Sequence, residues 1–293
     1  MAILAFDMGG SAVKYGIWNN DTLEMTDQFK TPATWDEMKE SLKQTYQNLK
    51  ATFDISGIAL SAPGSVDVAK GVIGGISAIE YIHHFPIVED LEAVFGLPVS
   101  IDNDANCAAL AETWKGVARG ESNVLFVVVG TGIGGAVIVD CEIQRGHNLF
   151  GGEFGCMILD GKQSFSMLGT AVHMAERYAR RLKIPEDSIT GAEVFDRAKA
   201  GDALAIDEVN NFYDYLSLGL YNLQFTTDPS SIIIGGGVSQ NPDLIPAVTT
   251  RIQDMLSNAG LESVDVSIKA CHFLNDANLV GAVAAFQTQK GAQ

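Results

Sequence analysis

ILAFDMGGSAVKYGIW (residues 3–18) and, further on, VLFVVVGTGIGGAVIVD (residues 124–140) share one plan: a β-rich apolar run, a glycine-rich turn and a second β-rich run. Strand-forming residues on both sides of the glycines predict a hairpin in each case. Asp7 sits at the mouth of the first hairpin, and Asp140 closes the second. Two copies of the plan predict two related α/β domains. The length agrees, since 293 residues at roughly 100–200 per domain suffice for two, each with its own core.

Working outward from the hairpins, the pattern predicts a helix over 35–50, a strand over 56–64, a helix over 87–95 and a strand in PVSIDNDAN (98–106). An alanine-rich helix over 106–114 follows, starting beside Asp102 and Asp104, where acids suit the positive end of a helix. The second half reads as more helical, with helices over 167–182, 191–200 and 203–225. In the last of these Phe212, Leu216, Leu220 and Leu223 form a buried stripe. A buried strand then runs into triple glycine in SIIIGGGVSQ (231–240), followed by a helix over 242–258, a strand over 265–270 and a helix over 277–287.

A composition of 47% hydrophobic and 19% charged residues is that of a globular protein. The net charge of −17 repels nucleic-acid phosphates and anionic membranes over most of the surface, so neither is an expected partner. Cys107, Cys141, Cys156 and Cys271 form no CxxC or CxC pair, which predicts reduced thiols. No apolar run approaches a membrane span and no signal sequence precedes Asp7, so a soluble, cytoplasmic protein is expected.

Three glycine turns follow strands, at Gly9–Gly10, Gly130–Gly135 and Gly235–Gly237. Any one of them could be a hairpin without a ligand, but three suggest an extended polyphosphate, whose oxygens accept from closely approaching backbone amides. GTGIGG is not a dinucleotide fingerprint, because strand and not helix follows it, and no Walker A loop occurs. His84, His147, His173 and His272 show no metal-ligand spacing, and no GxSxG elbow is present.

DMGGSAVKYGIW, SAPGSVD, IDNDANCAALAE, VVVGTGIGGAVIVD, GGEFG and IIIGGGVS, in this order, resemble the ROK family of sugar kinases within the actin-like ATPase superfamily. The resemblance covers nearly the whole chain. It implies an α/β, two-domain actin-like ATPase (ribonuclease H-like) fold with an interdomain active-site cleft that takes ATP, magnesium and a sugar. The first domain is expected over 1–114 plus 275–293, the second over 115–274. Family repressors carry an additional N-terminal DNA-binding domain, whereas this chain starts at the first phosphate hairpin, which favours a kinase over a sugar-responsive regulator. A homodimer is the family expectation.

The resemblance implies roles residue by residue. Asp104 matches the catalytic base; no carboxylate of pKa about 4 ionises an alcohol beforehand, so it orients the hydroxyl and takes its proton late. Asn103 matches a sugar-binding amide and Glu153 a sugar-binding glutamate, with Asp102 in support, while Gly64 lies in a substrate-binding segment. Asp7 matches the acid that holds magnesium through water. Gly9, Gly10, Ser11 and Lys14 match the first phosphate loop, although Lys14 also reads as a solvated strand residue. Gly130, Thr131, Gly132 and Gly134 match the second, and Gly235, Gly236 and Gly237 lie beside the adenosine.

The sequence also departs from the family. Cys156 stands where many members have a zinc-binding, sugar-touching histidine, and DGKQSFSMLGTA replaces the CxCGxxGC cluster, so no structural zinc is expected. Ser164 lies near the place of a second sugar-binding glutamate. In the family these groups surround the anomeric end of the sugar, and their loss predicts room for a substituted O1. GGISAIEYIHHFP (74–86) resembles the β-glucoside kinase branch, which phosphorylates the 6-hydroxyl of the non-reducing glucose of cellobiose-like sugars. Tyr81 and His83 then either line the aglycone site or serve as packing residues. Free glucose, fructose or N-acetylmannosamine is the alternative acceptor.

Overall fold

The computed structural model describes residues 2–291. They form two compact units, one drawn from Met1–Arg119, Gly146–Phe150 and Asn275–Gln293, the other from Gly120–Arg145 and Gly151–Leu274. Residues 1, 292 and 293 of the expected first domain lie outside the described residues.

The first unit opens with β1 (Ala2–Met8), β2 (Ala12–Asn19) and β3 (Thr22–Lys30), an antiparallel meander that contains the expected hairpin. After α1 (Trp35–Leu49), β4 (Ile55–Ala62) pairs parallel with β1. A small hairpin of β5 (Ser65–Asp67) and β6 (Val72–Gly74) follows, then α2 (Ile87–Phe95), β7 (Val99–Asn103) and α3 (Asp104–Trp114). The sheet order is β3-β2-β1-β4-β7, with β1, β4 and β7 parallel. Leu4, Phe6, Ile58 and Leu60 fill one core with Met38 and Leu42 of α1. The terminal helix (Ala277–Lys290) packs against α3 and β4.

The second unit repeats the design. It contains β8 (Val124–Val129), β9 (Ile133–Val139), β10 (Glu142–Ile143), β11 (Ile158–Asp160) and β12 (Gln163–Ser164). α4 (Phe165–Leu168), α5 (Ala171–Leu182), α6 (Gly191–Lys199) and α7 (Ala203–Thr227) follow, then β13 (Ser231–Gly235), α8 (Leu244–Asn258) and β14 (Ile268–Ala270). Its sheet runs β10-β9-β8-β13-β14, with the same alternation of antiparallel and parallel pairs as the first. The stripe Phe212, Leu216, Leu220 and Leu223 of α7 is buried in its core.

Some elements differ from expectation. The helix expected over 167–182 is two, because the Thr170 hydroxyl accepts from His173 N (3.3 Å) and starts α5 afresh after Gly169. α3 begins at Asp104 rather than 106, capped by Asn103. The strand expected over 265–270 is paired only from Ile268 to Ala270. Among the described residues no helix is long and apolar enough to cross a membrane.

Candidate active site

Three parallel strands of the first unit end together, and their register lines up Asp7 of β1, Ser61 of β4 and Asp102 of β7 in one row. The carboxyl ends of parallel strands are where open α/β sheets place ligands. Asp7 Oδ1 accepts from Ser61 Oγ (2.8 Å) and from Asn278 Nδ2 at the start of the terminal helix (3.0 Å). Burial pushes the Asp7 carboxyl above its ordinary value, against the opposing pull of these two donors and Lys14. The hydrogen bonds fall on Oδ1, leaving Oδ2 as the atom able to meet a hydrated cation. The turn after β1 exposes Gly10 and Ser11 at its tip. Lys14 lies opposite Asp7 in the β1–β2 register, and its Nζ donates to the Asn275 carbonyl (3.5 Å).

Asn103 and Asp104 stand where β7 passes into α3. Asn103 Oδ1 accepts from the backbone N–H of Ala105 (3.0 Å) and Asn106 (3.1 Å), which makes it the helix cap. Its Nδ2 donates to the Gly64 carbonyl (3.1 Å) and to Asp104 Oδ1 (2.9 Å). Both amide hydrogens and both acceptor positions are thus engaged inside the unit. The effect is to fix Asp104. Asp102 is fully buried and accepts from Asn103 N (2.9 Å) and Asn106 Nδ2 (3.1 Å).

Tyr81 and His83 are turned inward. The Tyr81 hydroxyl donates to the Pro32 carbonyl (2.6 Å), and its ring packs against the core of the unit. His83 bonds the Gly74 carbonyl through Nδ1 (3.1 Å) and the Ser77 hydroxyl through Nε2 (2.8 Å). Of the two readings given above, packing is the one this geometry favours.

In the second unit the β8–β9 turn exposes Gly130, Thr131 and Gly132, with Gly130 N donating to the Gly132 carbonyl (2.9 Å). Gly134 lies within β9. Ser166 Oγ accepts from Ile133 N (2.9 Å) and braces the turn from α4. Gly235 ends β13; Gly236 holds φ of +87° against Val129, where a side chain would collide with the carbonyl; Gly237 faces open space. Gly237 borders a cavity of about 500 Å³ lined also by Gly130, Val172, Phe195, Val238 and Asn241. That volume falls within the range of small-ligand pockets. Glu153 is exposed at the start of the short 3-10 helix Phe154–Cys156, in which Cys156 is also exposed. The Ser164 hydroxyl caps α4, accepting from Met167 N (3.4 Å).

Ser61, Asn278 and Ser166 were not singled out from the sequence. A signal existed for one of them: NDAN occurs twice, at 103–106 and 275–278. In both copies the last asparagine donates to a strand-end carboxylate, Asn106 to Asp102 and Asn278 to Asp7.

The family model described as ROK family matches residues 3–289. The β-glucoside kinase of Klebsiella pneumoniae is 37% identical over 98% of this chain and 96% of its own length. A β-glucoside kinase of Listeria innocua is 35% identical over 98% and 97%. The crystal structure of a ROK family protein from Streptococcus pneumoniae in complex with sucrose superposes with a TM-score of 0.91 at 32% identity, covering 100% of both chains.

Proposed function

The chain belongs to the ROK family and is an ATP-dependent carbohydrate kinase, and we propose that its acceptor is the 6-hydroxyl of the non-reducing glucose of a β-glucoside such as cellobiose. The observation that carries the acceptor assignment is the near full-length likeness to proteins named β-glucoside kinases. Two features agree with it. Cys156, exposed in a short helix, and Ser164, at the start of α4, supply neither an imidazole nor a carboxylate to meet a free O1 hydroxyl.

In this reading Asp104 is the catalytic base. Asn103 Nδ2 and Ala105 N both donate to Asp104 Oδ1, so the acceptor hydroxyl meets a pre-oriented carboxylate. The hydroxyl proton passes to Asp104 late, as its oxygen bonds the γ-phosphorus and the bond to ADP breaks. Glu153 accepts from sugar hydroxyls. Gly9, Gly10, Ser11 and Lys14 are read as one phosphate loop and Gly130, Thr131, Gly132 and Gly134 as another, each with donors suited to phosphate oxygens. Gly237 leaves room for adenosine at the cavity of the second unit. Asp7 is the residue that would hold magnesium, which would supply neutralisation of phosphate charge. A cytoplasmic homodimer completes the proposal.

The test is magnesium-dependent ADP release across cellobiose, gentiobiose, an aryl β-glucoside, glucose, fructose and N-acetylmannosamine. Preference for the β-glucosides supports the acceptor; preference for a free hexose overturns it and leaves the kinase.

A further inference from the structure

We propose that the loop from β6 to His83 forms the wall that receives the aglycone of the acceptor, with Ile76 as the residue that selects an apolar aglycone face; the inference rests on the β-glucoside reading above. The polar atoms of Tyr81 and His83 bond the first unit itself, so neither side chain brings a free hydrogen-bonding group to the aglycone.

The loop is braced rather than loose. The His83 imidazole forms a strut between the Gly74 carbonyl (3.1 Å) and the Ser77 hydroxyl (2.8 Å). Ser77 Oγ also accepts from Ile79 N (3.2 Å), and His84 N donates to the Ile73 carbonyl (2.8 Å).

Its two ends adjoin the two parts of the candidate site on this unit. At one end a Cβ on Gly64 would lie 2.9 Å from the Gly74 carbonyl oxygen, and the Gly64 carbonyl accepts from Asn103, the residue that holds Asp104. At the other end a Cβ on Gly10 would lie 2.7 Å from Ala78 Cβ, so the loop touches the first phosphate turn. Between these anchors stand Gly75, with φ of +74°, and Ile76, which is 94% exposed.

A scattered exposed aliphatic residue is ordinary. This one is different because it sits in a braced loop between Gly74, which adjoins Gly64, and Ala78, which adjoins Gly10. The Gly75–Ile76 tip offers no side-chain hydrogen-bonding group, so it can favour a ligand only by burying apolar surface. An aryl ring or the carbon face of a second glucose supplies that surface; free glucose and a methyl glucoside supply little.

The experiment compares kcat/KM for phenyl β-glucoside and methyl β-glucoside in the wild type and in Ile76→Ala, Ile76→Ser and Ile76→Leu, with thermal midpoints to monitor folding. Partial burial of one aliphatic side chain predicts that the phenyl-to-methyl ratio falls about five- to twentyfold in the Ala and Ser variants. The change enters mainly through KM, and Leu restores the ratio. An unchanged ratio in an enzyme that uses β-glucosides overturns the inference alone. A wild type that phosphorylates only free hexoses overturns the acceptor reading and this inference with it.

Discussion

Gly281 lies in the terminal helix where it crosses α3, and replacing it with alanine probes how tightly the base is held. An added Cβ would lie 2.7 Å from Cys107 Cα and would overlap the Cys107 carbonyl carbon and oxygen. All three are backbone atoms, so no side-chain rotation relieves the clash, and the helices must separate by roughly 2 Å to regain ordinary contact. Alanine's helix propensity returns only about 1 kcal/mol. Overpacking of this kind costs about 1–3 kcal/mol, and more against backbone, so a net loss of about 2 kcal/mol or more is expected. α3 begins at Asp104, and displacement of a catalytic group by about 1 Å costs about a hundredfold in rate. Denaturant titration and kcat on the preferred sugar measure both effects. Wild-type stability together with wild-type kcat in Gly281→Ala would refute the reasoning.

Gly237→Ala is the converse case: nothing lies within 4 Å of its added Cβ, so stability stays within about 0.5 kcal/mol of wild type while the KM for ATP rises, as paired melting and kinetic measurements would show. Asn278→Ala removes one of two donors to Asp7 Oδ1. A hydrogen bond to a charged group contributes about 1.5–3 kcal/mol, so calorimetry should find MgATP binding weakened about tenfold or more, with metal-free ATP affected less. Cys141 and Cys156 are exposed, whereas Cys107 and Cys271 are buried, and burial pushes the Cys107 thiol well above its ordinary value. Thiol titration of the native protein at pH 8 should therefore find two fast groups, and four only after unfolding.

The duplicated hairpin was the most legible part of the fold, because alternation around glycine is a local signal and both copies formed as strand, turn and strand. The stripe of α7 was legible for the same reason. What escaped was set by long-range contacts. β3 is largely exposed and polar at the sheet edge, where pairing with β2 and not burial makes it a strand. The break before α5 hangs on one threonine hydroxyl.

At the site, the residue types around Asp7 and Asp104 could be read, but not how they share hydrogen bonds. Asn103 reads as a ligand in sequence, and the structure adds that its amide oxygen caps α3. Ser61 reaches Asp7 only through the parallel β1–β4 register, which one sequence does not display. Tyr81 and His83 likewise carry the chemistry of a binding site while their polar atoms serve a loop and a core.

The most direct test of the account is steady-state phosphorylation of cellobiose by Asp104→Asn, paired with calorimetric binding of the sugar. Removing a general base costs about 10²- to 10⁴-fold, so the account predicts a loss of kcat of that size, with sugar affinity within a few-fold of wild type. Turnover close to wild type in a folded Asp104→Asn enzyme would contradict it.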